Sequence, residues 1–469
     1  MKRALKPVVI VSLLLLIASS NAFPQKGLVF AKEEYAARRK ALMDKIPDGI
    51  VIINGATRVT GYDLYVQGND FIYFTGVEIP NAVLIMDGLR RESTIYFTSS
   101  EREAEAEGID PAIVRSTVQV TGIEKYAPYD QFTRSLDRHS STGAVFYTSF
   151  LPEETGREVA PEKLNVLRAD MVMNEWDGRL SRELQFVKLL KERYPAVKVQ
   201  DCAKEIEALR IIKSPAEIEK IREAGRIGVK AMVETMRSTR AGMYEYEVAG
   251  LYEYMCKKEG VRDIAYNTII SSDKNHRYLH YYKHDRLLAN GDFLVMDVGP
   301  DVDYYDIDIT ISFPANGKFT PAQLEFYTAC NEIEKACLKF LKAGRTPEEV
   351  GILAREYLEK EKGFDLTKKY WSSLSGFLRR GAVSHYVGLA VHDIGGTVRG
   401  KLEAGMVLAI DVYAVFADEN MGVRVEDTVV ITEEGCEVLS PGIPREPKEI
   451  EALMKQDGAV QLMKAKKLY

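Results

Sequence analysis

The residues able to do chemistry gather in the second half of this chain, where acids stand inside otherwise apolar segments. Phe293-Leu294-Val295-Met296 runs into Asp297, and Met406-Val407-Leu408-Ala409-Ile410 runs into Asp411. Tyr305 to Phe313 alternates strictly, with Ile307, Ile309, Ile311 and Phe313 on one face and Asp306, Asp308, Thr310 and Ser312 on the other. Gly422 to Ile431 likewise sets Arg424, Glu426 and Thr428 on one face. Between these segments lies Ser384-His385-Tyr386-Val387-Gly388-Leu389-Ala390-Val391-His392-Asp393. Of six histidines only His139 is far from this region; His276, His280, His284, His385 and His392 are in or near it. A hairpin joining the first two acidic strands brings Asp297 and Asp308 to one polar face. Asp306, and Asp301 and Asp303 in the turn, read as incidental acids of a solvated surface, because turns recruit Asp anyway.

Four ionised carboxylates cannot converge in a low-dielectric cleft without large pKa shifts or counter-charge. Two divalent cations supply that charge, and one neutral imidazole fills a remaining coordination position. Oxygen-rich ligation with one imidazole suits Mn2+, with Fe, Co and Zn as alternatives. Two metals about 3.5–4 Å apart can hold a bridging hydroxide, polarise a carbonyl and stabilise a tetrahedral oxyanion. Other catalytic signatures are missing: there is no Gly-x-Ser-x-Gly, no His-Glu-x-x-His and no Gly-x-x-x-x-Gly-Lys-Ser/Thr.

The elements that position these residues fall into two blocks. From 33 to 200, the apolar runs Gly49–Asn54, Phe71–Thr75, Ala82–Met86, Thr94–Thr98 and Ala144–Thr148 read as strands. They alternate with helical patterns such as Glu33–Lys45 and Arg179–Arg193, which makes an amino-terminal α/β domain. From 208 to 447, long helices over Pro215–Met236, Tyr244–Glu259, Pro321–Leu341 and Pro347–Glu361 mix with antiparallel-looking strands, an α+β pattern. Ser214-Pro215-Ala216-Glu217 marks one helix start, with Pro at the first helical position and Glu placed to close a capping box. The tail, 448–469, is Lys-rich and reads as a surface helix or a disordered end.

With 469 residues, 46% hydrophobic and 28% charged, the chain can build ordinary globular cores. Its formal net charge of −6, with no long basic run, speaks against nucleic-acid binding. Five scattered cysteines specify neither a disulfide framework nor a zinc ribbon. Residues 1–22 have the order of a secretory signal peptide: Lys2, Arg3 and Lys6, an apolar run from Pro7 to Ala18, then Ser20-Asn21-Ala22 at a cleavage site. The run is shorter than the roughly 18 residues that span a bilayer, although a short uncleaved anchor is the alternative. A secreted or periplasmic protein, free of the membrane after cleavage, is expected.

At this point the motifs match a family. The second block resembles the pita-bread metallopeptidases, and within them the Xaa-Pro aminopeptidases (aminopeptidase P) and prolidases. That family has Asp-Ala-Gly followed, eleven residues after the first Asp, by Asp-Ile-Thr-Arg; here stand Asp297-Val298-Gly299 and Asp308-Ile309-Thr310 at the same spacing. Its Ser-His-Trp-Leu-Gly-x-x-Val-His-Asp is matched by Ser384 to Asp393, and its Arg-Ile-Glu-Asp by Arg424-Val425-Glu426-Asp427. Its Leu-His-Tyr is Leu279-His280-Tyr281. Asn69 to Gly76 and the connector Leu209 to Pro215 are similar to the family's amino-terminal domain and linker, so the resemblance spans about 33 to 440.

The resemblance implies an amino-terminal α/β domain followed by a pita-bread catalytic domain. It implies metal ligation by Asp297, Asp308, His385 and Glu426, with Asp308 and Glu426 bridging. His280 and His392 would orient the peptide and stabilise the oxyanion, and Arg424 would orient a ligand carboxylate from behind. His276 and His284 match nothing and read as surface residues. The family's Glu-Pro-Gly, whose Glu is the fifth ligand and a proton shuttle, is replaced by Asp411-Val412-Tyr413. That Asp is one methylene shorter, requiring a backbone shift of about an ångström, a scale of misplacement that can cost about 100-fold in rate. The family's Arg after Asp-Ile-Thr is Ile311.

The activity implied is hydrolysis of the bond between an amino-terminal residue and a following proline, in peptides with proline at position two, by a homo-oligomer (dimer or tetramer). Two rivals stand beside it: a prolidase restricted to Xaa-Pro dipeptides, and a non-catalytic binding protein on the same fold. The second predicts lost ligands, whereas four of five match and the fifth is an acid. A metal-free amidinohydrolase on this fold would not need all four carboxylates.

Overall fold

The computed structural model describes residues 27–59, 64–152 and 161–467. The segment 1–22, expected to be a signal peptide, lies outside them. Among the described residues no helix is long and apolar enough to cross a membrane.

The amino-terminal half is built on a six-stranded mixed sheet. Its strands are β1 (Gly49–Asn54), β2 (Val83–Asp87), β3 (Glu92–Tyr96), β4 (Lys125–Ala127), β5 (Val145–Thr148) and β6 (Val199–Asp201), in the order β4-β3-β2-β1-β5-β6. Alternate residues of the central strands serve two cores. Val51, Ile53, Leu84 and Met86 join Leu42 and Met43 on one side, and Ile50, Ile52, Val83 and Ile85 join Phe132, Leu136 and Leu190 on the other. One expected strand is a helix: Asn69–Thr75 is helical, buried nearly all round, and ends at Gly76 in the left-handed conformation (φ 67°). A short apolar run has no periodicity that separates a buried strand from a buried helix. The closing glycine decides it, because only that residue type turns the chain there without strain.

The second half holds two sheets. β7 (Asp263–Ile264), β10 (Pro300–Val302) and β11 (Tyr305–Asp306) form a small three-stranded one, in the order β11-β10-β7. The large one contains β8 (Ile269–Ser272), β9 (Phe293–Val298), β12 (Ile309–Pro314), β13 (Val383–Tyr386), β14 (Val407–Phe416), β15 (Met421–Ile431) and β16 (Cys436–Val438). Its order is β13-β14-β15-β12-β9-β8, with β16 added to β15. Helices Pro215–Ser238, Glu245–Lys258 and Pro321–Phe340 flank it; the first and third open on a capping box, and at the second Glu247 accepts from the Tyr244 N–H at 2.7 Å. At the first, Ser214 Oγ accepts from Glu217 N–H at 3.3 Å while Glu217 Oε2 accepts from Ser214 N–H at 3.0 Å. The expected helix over 347–361 is α-helical only to Glu356, then widens into a π turn over Tyr357–Glu361.

The run from Tyr305 to Phe313 is not one strand. Tyr305 and Asp306 pair with β10, and only from Ile309 does the chain enter the large sheet. Between them the Asp308 N–H donates to Thr428 Oγ1 at 3.0 Å instead of to a ladder carbonyl. Neither face of the run meets solvent, so Asp306 is fully buried rather than solvated. The tail is also more ordered than expected: helices Pro447–Met454 and Ala459–Ala465 follow the last strand, Ile450 and Met454 are buried, and Ala459 N–H donates to Glu234 at 2.6 Å.

The halves meet at a buried ionic cluster. Arg210 of the connector bridges Asp70 (2.8 Å) and Asp393 (2.5 Å), and Lys213 reaches the other oxygen of Asp393 at 3.0 Å. Asn69 Nδ2 donates to Leu389 O at 2.9 Å. The loop that carries His392 is thereby tied to both the connector and the helix Asn69–Thr75. All five cysteines are free thiols.

Candidate metal centre

Strand register assembles the acids. Asp297 on β9 stands opposite Thr310 on β12, Thr310 opposite Glu426 on β15, and Glu426 opposite Asp411 on β14. Residues paired across a ladder point to one face with Cβ atoms about 4.5–5.5 Å apart, so three carboxylates and a threonine make one row on the large sheet. Asp308, two residues before Thr310, lies diagonally beside Asp297. His385 comes from the edge strand β13, where the pairing with β14 is irregular between Val383 and Tyr386.

Hydrogen bonds aim the row inward. The Tyr266 hydroxyl sits 2.6 Å from an oxygen of Asp297 and 2.6 Å from one of Asp308. Thr310 Oγ1 donates to Glu426 at 2.9 Å, and Thr428 Oγ1 donates to the Asp308 carbonyl at 2.7 Å. Arg424 ion-pairs with Asp297, lies 3.7 Å from Asp411 Oδ1, and stacks over Tyr413 at 4.9 Å. The His385 ring lies 3.5 Å from Asp308 and 4.0 Å from Glu426 through Nε2, while Nδ1 lies 3.1 Å from the Tyr386 carbonyl.

The electrostatics are those of negative charge held out of water. Burial pushes Asp297 up to about 7 against the pull of Arg424. Burial, then Asp308 and Asp411, lift Glu426 well above the carboxylate range, and burial also raises Asp411. Asp308 is the exception: burial would raise it, but His385, joined by the Tyr266 hydroxyl and His392, holds it low, and Asp308 in turn raises His385.

The donor set fits hard divalent cations. Asp297, Asp308 and Glu426 offer oxygens within 4.8 Å of one another, and Asp308, His385 and His392 form a second such group. Asp308 belongs to both. Asp411 Oδ1 is buried without a hydrogen-bond partner, an orphan acceptor at the edge of the cluster. Asp411 itself falls outside both groups.

The cleft brings together His280, His385, His392, Asp297, Asp308, Asp411, Arg424 and Glu426. The His392 ring is 4.1 Å from that of His385 and 6.4 Å from that of His280. His276 is not a surface residue: it is buried, with its ring nitrogens 3.1 Å from Ser271 Oγ and 3.0 Å from the Phe293 carbonyl. Gly422 gives it room, since a Cβ there would lie 2.7 Å from the His276 side chain. His284 is half-buried and 3.4 Å from Ile270 N–H. No helix carries 276, 280 and 284; a short 3-10 turn ends at Arg277. Ile311, at the family's Arg position, is part of the apolar core. Sequence reasoning missed Tyr266, one of 25 tyrosines with no local mark of a role, and missed the Arg210–Asp393–Lys213 cluster, although Arg210 and Lys213 stand in the connector motif.

A sheet of this topology with a buried row of acids and an imidazole at its edge defines a metal-dependent hydrolase of the pita-bread class. A family model described as metallopeptidase family M24 matches residues 219–433, and one described as the aminopeptidase P N-terminal domain matches 35–146. The Xaa-Pro aminopeptidase of Escherichia coli is 29% identical over 450 residues, covering 90% of this chain and 98% of that one. That of Haemophilus influenzae is 30% identical over 409 residues, covering 83% and 88%. The structure of E. coli aminopeptidase P with the inhibitor Pro-Leu aligns with a TM-score of 0.70 at 27% identity, covering 91% of this chain and 98% of that one. The chain belongs to metallopeptidase family M24 and is a metal-dependent peptide hydrolase.

Proposed function

We propose that this enzyme removes the amino-terminal residue from peptides with proline at position two, using two divalent cations held by Asp297, Asp308, His385, Asp411 and Glu426. Mn2+ is the ion favoured by an oxygen-rich set with one imidazole. When bound, the ions polarise the scissile carbonyl and make water nucleophilic near neutral pH. The observation that carries the reading is the row Asp297–Thr310–Glu426–Asp411 with Asp308 and His385 beside it, in a chain whose relatives are named for Xaa-Pro cleavage.

The chain's own groups supply the rest. Tyr266 and Arg424 lock Asp297 in orientation, and Thr310 does the same for Glu426. His280 and His392 line the cleft, where a ring N–H of either can donate to the carbonyl oxygen as negative charge develops there. The Xaa-Pro bond has no N–H, so an enzyme that recognises it cannot rely on that donor. Asp411, in the place of the family's Glu, would relay a proton to the proline nitrogen as it leaves. The first 22 residues support export, and the family resemblance supports a dimer or tetramer.

The test is metal analysis of the purified mature protein beside an Mn2+-dependent assay on Xaa-Pro-Xaa and Xaa-Pro peptides. Two equivalents of metal with cleavage of the tripeptide are expected. Cleavage of the dipeptide alone identifies a prolidase. Fewer than two equivalents at saturation without turnover defeats the proposal in favour of a binding protein.

A further inference from the structure

We infer that Asp263, Asp301 and Asp306 form a second cation site, apart from the catalytic cleft, which takes a hard divalent cation of the Ca2+ type. In the three-stranded sheet Asp263 pairs with Asp301, and Asp301 pairs with Asp306. Ladder partners share a face, so three carboxylates stand in a row, and like charges directly opposite each other destabilise the pairing. The register has no freedom to slip away from this. β10 and β11 are joined by the two-residue turn Asp303-Tyr304, with φ of 53° and 76°, the geometry of a tight hairpin.

Asp306 is the inner end of the row. It is 0% exposed, its N–H donates to the Gly388 carbonyl at 2.8 Å, and both of its carboxylate oxygens are buried without a hydrogen-bond partner. A carboxylate buried with neither hydrogen bond nor counter-charge is strongly disfavoured. Among the described residues Lys220 pairs with Asp303 at 3.1 Å and Glu223 at 2.8 Å, and Arg262 with Glu78 at 3.0 Å, while Asp263 accepts from the Ile264 N–H at 2.9 Å and Asp301 from the Tyr304 N–H at 2.8 Å. Asp263 and Asp301 are half-buried, so the row opens toward solvent at its outer end. Three carboxylates without imidazole or thiolate select a hard ion. Ca2+ accepts an irregular oxygen shell completed by water more readily than Mg2+ does. The row belongs to the small sheet, whereas Asp297, Glu426 and Asp411 stand on the large one.

The experiment is equilibrium dialysis of calcium against full-length protein saturated with Mn2+, with thermal unfolding in parallel. Wild type is expected to bind one additional equivalent of calcium with Kd about 0.1–1 mM. Saturating calcium is expected to raise Tm by about 2–4 °C. Asp306→Asn and Asp301→Asn should each weaken calcium binding at least tenfold with manganese content unchanged. Asp301 is half-buried, so Asp301→Asn decides the matter if Asp306→Asn does not fold. No calcium binding, or equal binding by wild type and the folded variants, overturns the site. Turnover is not the readout, so this result and that of the peptidase assay stand independently.

Discussion

Asp393→Asn removes a charge from the cluster that ties the His392 loop to the rest of the molecule, while keeping the side chain's size. In the native protein Arg210 is 2% exposed, and Lys213 and Asp393 are 1% exposed. Arg210 keeps Asp70 at 2.8 Å after the substitution, but the ion pair of Lys213 is lost. Leaving a buried charge uncompensated costs about 3–5 kcal/mol, or roughly two to three and a half powers of ten in the folding equilibrium. Urea unfolding followed by fluorescence of the buried Trp371 measures it. Lys213→Met in the Asp393→Asn background should recover part of the loss, since it removes the stranded charge. The sign with pH follows from Asp393 itself. Burial pushes its carboxyl up, but Arg210 and Lys213 overcome burial and hold it below the ordinary value. Its contribution is therefore complete above the unfolded carboxylate pKa and fades as pH falls through the lower folded one, so wild type and variant should converge in acid. A loss under about 1 kcal/mol, the worth of an exposed pair, refutes the reasoning, as does a Lys213→Met change that adds to the loss.

Three further outcomes are expected. Tyr266→Phe deletes the hydroxyl shared by Asp297 and Asp308 and should weaken metal affinity or kcat about 10–100-fold, measured by metal titration and steady-state kinetics. Asp411→Ala should abolish turnover while Asp411→Glu retains some; full activity of the Ala variant would remove Asp411 from the mechanism. Glu334 is buried and raised well above its usual pKa by burial and then by Asp427, so its contribution is full below the unfolded pKa and is lost as pH rises through the folded one. Glu334→Gln, which mimics the protonated form, should gain Tm relative to wild type from pH 5 upward, by up to about 1.4 kcal/mol of stability per pH unit.

The sequence by itself determined the class of chemistry and most of the elements. Acids set in apolar runs cannot be left unpaired in a core, and that rule alone points to Asp297, Asp308, Glu426 and a cationic partner. Capping signals are local, so Ser214 and Glu217 declared their helix start, and the strand at Gly49–Asn54 has the bounds its β-branched run announces. Whatever depends on what lies across from a residue was decided only by the tertiary structure. Alternation says which residues share a face but not whether that face meets water, and so Asp306 and His276 were read as exposed although both are buried. The same limit hid Tyr266 and the union of Arg210 and Lys213 with Asp393, contacts made by segments at least 31 residues apart in the chain. Burial and partnership are properties of the packed chain, set by strand register and domain docking, and no local pattern encodes them.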